Sequence, residues 1–150
     1  VLLLSSPHNP VGRVWTAEEL EKLGTICVKH KLTIISDEVH SDLTLPKFQF
    51  IPTAAVSETI ANQTITIIAP SKTFNLAGLS TAVVIAQNKV LMQAYNNKLS
   101  DWHINQGNIF GTVALEAAYN RGDEWLEALL NYLQNNIDYL HNFLAERVPK

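Results

Sequence analysis

Three short runs of aliphatic and β-branched residues recur along the chain, and each gives way at once to a polar turn. Residues 1–5 lead into Ser6-Pro7-His8-Asn9-Pro10-Val11-Gly12, residues 32–36 into Asp37-Glu38-Val39-His40, and residues 64–69 into Pro70-Ser71-Lys72-Thr73-Phe74-Asn75. Runs this short and this apolar favour buried strands, as parallel sheets require. A helical pattern separates the first two. Thr16 and Glu19 have the spacing of a capping box, and Leu20, Leu23, Cys27 and Val28 share one face over residues 17–29. Strand, helix and strand in this order predict an α/β domain built on a mostly parallel sheet covered by helices on both faces.

The rest of the chain is consistent with that class. Residues 41–52 carry Pro46 and Pro52 and no clean period, so they read as loop, with a short helix expected near 53–60. A further strand is expected over 79–86, then helices over 89–99 and 109–120, the latter with Phe110, Val113, Ala114 and Ala117 inward. Arg121-Gly122 suits a helix stop. A last helix over 123–146 aligns Trp125, Leu126, Leu129, Leu130, Leu133, Ile137, Leu140 and Leu144 in one stripe. The first residue is not methionine, and an apolar strand begins at once, so the chain reads as an internal piece of a longer protein.

Composition narrows the function classes. Apolar residues make up 47% of the 150 and charged residues 17%, enough apolar surface to bury a core and too little charge for a disordered chain. Eleven basic against fourteen acidic side chains leave a net charge of −3, which gives no general affinity for nucleic acid. No apolar stretch approaches the roughly 20 residues of a bilayer crossing. The one cysteine, Cys27, excludes an internal disulfide and suits a reducing, cytoplasmic setting. His8, His30, His103 and His141 have no metal-ligand spacing with one another or with Cys27, so no metal site is expected. Trp15, Trp102 and Trp125 read as packing residues, and Glu38 and Asp42 as helix-start or loop charges.

Ligands of parallel α/β sheets bind beyond the carboxyl ends of the strands. Asn9, Asp37 and Lys72 each follow such an end, so an amide, a carboxylate and an amine should reach one edge. Each alone has an ordinary explanation as a turn, a cap or a surface charge. Together they suit one chemistry: a lysine amine condenses with an aldehyde cofactor while a carboxylate keeps a ring nitrogen protonated.

Three segments carry a family resemblance. They are Asn9-Pro10-Val11-Gly12, then Ser36-Asp37-Glu38-Val39-His40-Ser41-Asp42-Leu43, then Ala69-Pro70-Ser71-Lys72-Thr73-Phe74-Asn75-Leu76-Ala77-Gly78-Leu79. In order and spacing the chain resembles the class I/II aminotransferases, of the aspartate aminotransferase-like fold, over essentially its whole length. The resemblance implies pyridoxal 5'-phosphate as cofactor, with Lys72 forming the Schiff base, Asp37 pairing with the pyridine nitrogen and Asn9 donating to the phenolic oxygen. His40, where many aminotransferases have tyrosine, and Ser71 complete the implied cofactor-binding set. Ala69 and Ser80 stand where many relatives bind phosphate through serine and arginine, a departure from the family pattern.

Residues 36–43, together with His103-Ile104-Asn105 and 111–119, are most similar to the branch of cystathionine β-lyase-like carbon–sulfur lyases. That branch implies α,β-elimination from a sulfur amino acid, giving a thiol, pyruvate and ammonia. An aminotransferase would use the same residues and stays open. The resemblance further implies that residues 1–120 are the central part of the cofactor-binding large domain. Residues 121–150 would lead toward a small domain. It also implies a homodimer acting on a small amino-acid substrate, with further phosphate and carboxylate ligands outside these residues. The 150-residue chain alone is therefore expected to be inactive. Two other classes remain: a helicase, whose Asp-Glu-x-His box Asp37–His40 imitates, and a non-catalytic module on the same fold. The first has no basic stripe beside it and leaves Asn9 and Lys72 unexplained. Intact Asp37 and Lys72 argue against the second.

Overall fold

The computed structural model describes residues 1–148. The chain runs β1 (Leu2–Ser5), α1 (Ala17–Lys29), β2 (Ile34–Asp37), α2 (Glu58–Ala61), β3 (Thr64–Ile68), α3 (Pro70–Thr73), β4 (Val83–Ile85), α4 (Lys89–Asp101), α5 (Ile109–Arg121) and α6 (Asp123–Arg147). The final residues of the expected 121–150 segment, Pro149 and Lys150, lie outside the described residues.

The four strands lie in chain order, β1-β2-β3-β4. β1, β2 and β3 are parallel, with Ser5 beside Asp37 and Asp37 beside Ile67. β4 returns antiparallel to β3, pairing Thr66 with Ile85 and Ile68 with Val83. The sheet is thus mixed and mostly parallel, and the domain is α/β.

One face of the sheet carries the core. Leu4, Leu20, Cys27, Ile34 and Ile60 are buried together, with Leu2, Trp15, Leu23, Val28, Leu32, Ile51 and Val56 packed around them. The capping box forms as its spacing requires: Thr16 Oγ1 accepts from the Glu19 amide at 3.3 Å, and Glu19 Oε2 accepts from the Thr16 amide at 3.0 Å. Gly24 lets α1 lie close to α2, because a Cβ there would run into the Ile60 side chain. Cys27 behaves as a small apolar side chain, and burial pushes its thiol up.

The helical cover of the sheet is partial among the described residues, in keeping with the fold expected: Leu3, on the face away from α1, is 75% exposed. α5 packs on α3 and α6, so it does not close that face over β1. Several expectations need correction. The second strand is Ile34–Asp37, not 32–36, because pairing with Ser5 and Ile67 carries the ladder through Asp37. The strand expected over 79–86 shortens to Val83–Ile85, since a 3₁₀ turn at Ala77–Leu79 and the left-handed Ser80 precede it. The region near 53–60 splits into a 3₁₀ turn at Thr53–Ala55 and the single turn of α2.

α5 also presents a different face from the one expected. Phe110 is 77% and Val113 62% exposed, Ala117 is exposed, and only Ala114 is half-buried. The helix docks instead through Gly111, where a Cβ would run into Thr81 Oγ1 and press on the Leu79 carbonyl. In α6 the stripe is real but partly open: Leu126, Leu129, Leu130 and Leu133 are half-buried, while Ile137, Leu140 and Leu144 are exposed. Among the described residues no helix is long and apolar enough to cross a membrane.

Candidate active site

The carboxyl ends of β1, β2 and β3 share one edge because the three strands are parallel and in register. Asn9 lies in the loop after β1. The His8 amide donates to the Arg13 carbonyl at 2.8 Å and the Gly12 amide to the His8 carbonyl at 2.7 Å, folding that loop back on itself. Gly12 takes φ +73° at the tip, a conformation that glycine adopts without steric cost. The Ser6–Pro7 and Asn9–Pro10 peptides are cis.

Asp37 is the last residue of β2. Its carbonyl accepts from the Ser6 amide at 3.0 Å, and its exposed carboxylate accepts from the Val39 amide at 3.3 Å. Glu38, one residue on, points the other way and is 2% exposed. Its Oε1 accepts from Ser36 Oγ at 2.8 Å and from the Thr53 amide at 2.9 Å. Burial pushes the Glu38 carboxyl up, against the opposing pull of these hydrogen bonds.

Beyond Glu38 the chain makes a 3₁₀ turn over Ser41–Leu43, with His40 at its start. His40 and Asn9 line one cavity of about 380 Å³, whose other walls include Leu43, Phe48, Leu133 and Ile137. Asp37, Ser71 and Lys72 are not among its lining residues. Lys72 lies instead in α3, the single turn after β3, with Ser71 half-buried and Lys72 exposed. Among the described residues neither Asp37 nor Lys72 enters an ion pair, so both charges are available to a ligand. Of the two positions that depart from the family pattern, Ala69 is buried and Ser80 is exposed at φ +48°.

One acid has a larger structural part than its sequence context suggested. Asp42 Oδ2 accepts from Thr73 Oγ1 at 2.9 Å and from the Tyr119 hydroxyl at 3.4 Å, tying the turn after β2 to α3 and to α5. Phe74 packs edge-on against Tyr119 and tilted against Trp125, each with ring centroids 5.8 Å apart. The only sequence signal for Asp42 was its place between His40 and Leu43, because its partners lie far along the chain.

An α/β sheet that delivers an amide, a carboxylate and a lysine to the carboxyl edge of its parallel strands defines a class of ligand-binding domain. Matched from residue 1 to residue 149 by the model of the aminotransferase class I and II family, the chain belongs to that family, which is pyridoxal phosphate-dependent. It is 39% identical over 150 residues to cystathionine beta-lyase PatB of Bacillus subtilis (strain 168), covering 100% of this chain and 39% of that protein. Among solved structures, cystalysin from Treponema denticola, which contains pyridoxal 5'-phosphate, superposes with a TM-score of 0.94 at 34% identity. That match covers 99% of this chain and 38% of cystalysin. The pyridoxal phosphate-bound C–S lyase from Staphylococcus hominis gives 0.88 at 38% identity, over 98% of this chain and 36% of that one. The chain therefore spans about two-fifths of the length of the proteins it matches.

Proposed function

We propose that these residues form the central part of a pyridoxal 5'-phosphate-dependent carbon–sulfur β-lyase. Its substrate is L-cystathionine or a related sulfur amino acid, and its products are a thiol, pyruvate and ammonia. The observation that carries this reading is the position of Asp37 at the carboxyl end of β2, with Asn9 and Lys72 in the segments that follow the neighbouring parallel strands β1 and β3. The groups fit the cofactor by their chemistry: an exposed amine and an exposed carboxylate, both without an ion pair among the described residues, with an amide and an imidazole sharing one cavity.

When bound, pyridoxal phosphate supplies a conjugated cationic ring that takes up negative charge from the substrate α-carbon. Lys72 Nζ would hold the cofactor through its aldehyde and would serve as the base that accepts the substrate α-proton. The Asp37 carboxylate keeps the proton on the ring nitrogen. Asn9 and His40 donate to the phenolic oxygen, and Ser71 contributes a hydroxyl beside Lys72. Residues 1–120 belong to the cofactor-binding domain, and the helix that follows leads toward a second domain. The full-length protein is a cytoplasmic homodimer, and the 150-residue chain alone is inactive.

Pyruvate assay of the full-length protein tests the reading. Steady release of pyruvate from L-cystathionine without any 2-oxo acid supports the lyase. Amino-group transfer that requires a 2-oxo acid, with no thiol released, overturns it in favour of an aminotransferase.

A further inference from the structure

α3 cannot hold its own shape. It is one turn of four residues, Pro70–Thr73, and helix nucleation is unfavourable until several turns have formed. Its internal support is slight: the Phe74 amide donates to the Pro70 carbonyl at 2.8 Å and the Leu76 amide to the Ser71 carbonyl at 3.0 Å. Asn75 follows with φ +56°, so no regular helix continues the turn. The position of Lys72 is therefore set by what grips its neighbours.

Those grips are few and specific. Pro70 and Thr73 are buried, Thr73 completely. Among the described residues the Thr73 hydroxyl has one side-chain partner, Asp42 Oδ2 at 2.9 Å, 31 positions earlier in the chain. The same oxygen accepts from Tyr119 on α5 at 3.4 Å, and Phe74 packs on the Tyr119 ring. Asp42 enters no ion pair among the described residues, so its carboxylate is committed to these two hydroxyls. It also belongs to the 3₁₀ turn that begins at His40, a cavity-lining residue. One carboxylate thus ties the His40 turn to the Lys72 turn.

The geometry points to Asp42 and Thr73 as positioning residues for Lys72: a carboxylate–hydroxyl clamp that holds the amine-bearing turn in register with the His40 turn. This rests on the assignment of Lys72 given above. A hydrogen bond to a charged acceptor is about twice as strong as a neutral one, and burial of Thr73 shields it from water. Tyr119 assists as a donor at every ordinary pH, since burial and the nearby Asp42 charge push its hydroxyl up to about 12. Neither Asp42 nor Thr73 needs to touch substrate. Loss of the clamp should degrade the placement of Lys72 and leave substrate affinity alone.

The test uses the full-length protein loaded with pyridoxal phosphate and compares Thr73→Val, Thr73→Ser, Asp42→Ala and Asp42→Asn. Borohydride labelling of the wild type comes first; a label away from Lys72 removes the assignment on which the clamp depends. With the label on Lys72, the readout is the pH midpoint of the bound cofactor's absorption change. Thr73→Val and Asp42→Ala should each move it by about half a unit or more in the same direction. The double variant should move it no further, and Thr73→Ser should restore it. In parallel, kcat should fall roughly tenfold or more with KM within about twofold, as expected for misplacement of a reacting group. Thr73→Val is nearly isosteric and decides the matter if Asp42→Ala does not fold. A Thr73→Val protein with the wild-type midpoint and kcat overturns the clamp while leaving Lys72 assigned.

Discussion

Ser36 Oγ donates to the Glu38 carboxylate at 2.8 Å in a site closed to water, while the acid between them, Asp37, faces solvent. The alternation of β2 continues one residue past its end, so consecutive acids part company. One is presented to the sheet edge and the other is sealed beneath it, where it also accepts from the Thr53 amide at 2.9 Å. The buried acid braces the strand end that carries the exposed one.

This arrangement has a pH signature. Burial raises the Glu38 carboxyl above its ordinary value of 4.5, so the folded protein holds that proton more tightly than the unfolded chain does. The stability it contributes is complete below pH 4.5 and is lost as pH rises through the folded value. Glu38→Gln keeps an acceptor without the charge and should flatten that part of the stability–pH curve. Glu38→Ala leaves the Thr53 amide unpaired, while the Ser36 hydroxyl keeps its contact with Thr53 Oγ1 at 2.8 Å, and should cost about 1–3 kcal/mol. Urea unfolding from pH 4 upward checks both, and an unchanged slope in Glu38→Gln would remove Glu38 as the titrating group.

Asp37→Asn should fold and bind cofactor but lose most of its turnover, by about a hundredfold or more. The substitution is conservative for structure, since the side chain is exposed and its hydrogen bond from the Val39 amide needs only an oxygen. It is not conservative for chemistry, because a neutral amide does not keep a ring nitrogen protonated. Steady-state rates beside cofactor absorbance separate the two effects. Near wild-type turnover would show that Asp37 is not the ring partner.

Gly111→Ala should destabilise the protein by about 1–3 kcal/mol, the usual cost of overpacking. The added methyl would meet both Thr81 Oγ1 and the Leu79 carbonyl, and the latter is backbone that cannot simply rotate away. Thr81→Ala in the same chain should recover part of the loss. Thermal unfolding of the single and double variants measures it, and independent, additive effects would show that α5 does not dock there.

Tyr119 offers a titration with an opposite partner. Its hydroxyl is pushed up to about 12, first by burial and then by the Asp42 charge and hydrogen bond. The folded state therefore favours the neutral phenol, and the stability this contributes is present below pH 10 and lost between 10 and about 12. The difference titration of the protein against Tyr119→Phe should show a late phenol that Asp42→Ala brings down. A phenol that titrates at its ordinary value in the parent protein contradicts the contact.

What the sequence conveyed follows the range of each interaction. The β-branched runs and the Thr16–Glu19 box are local, and they mark β1, α1, β2 and β3 within one or two residues. Because parallel strands end at one edge, the placement of Asn9, Asp37 and Lys72 near strand ends was legible in the sequence, whereas the cavity that takes in Asn9 and His40 without Asp37 or Lys72 was not. Strand ends were not, since Asp37 joins β2 only through pairing with Ser5 and Ile67. The buried face of α5 was hidden because apolar residues surround that helix, and a glycine rather than Phe110 makes the close approach. Thr73 and Tyr119 lie 31 and 77 positions from Asp42, so nothing local marks that acid as their common acceptor. The burial of Glu38 was equally silent, because a strand-end acid beside another acid reads as surface.

The central claim is that Lys72 is the residue to which the cofactor is joined, and reductive labelling tests it most directly. The full-length protein, loaded with pyridoxal phosphate and treated with borohydride, is digested and its peptides are mapped. The account predicts the pyridoxyl label on Lys72, within the segment Pro70–Thr73. A label on Lys89 or Lys98 with Lys72 unmodified would contradict it.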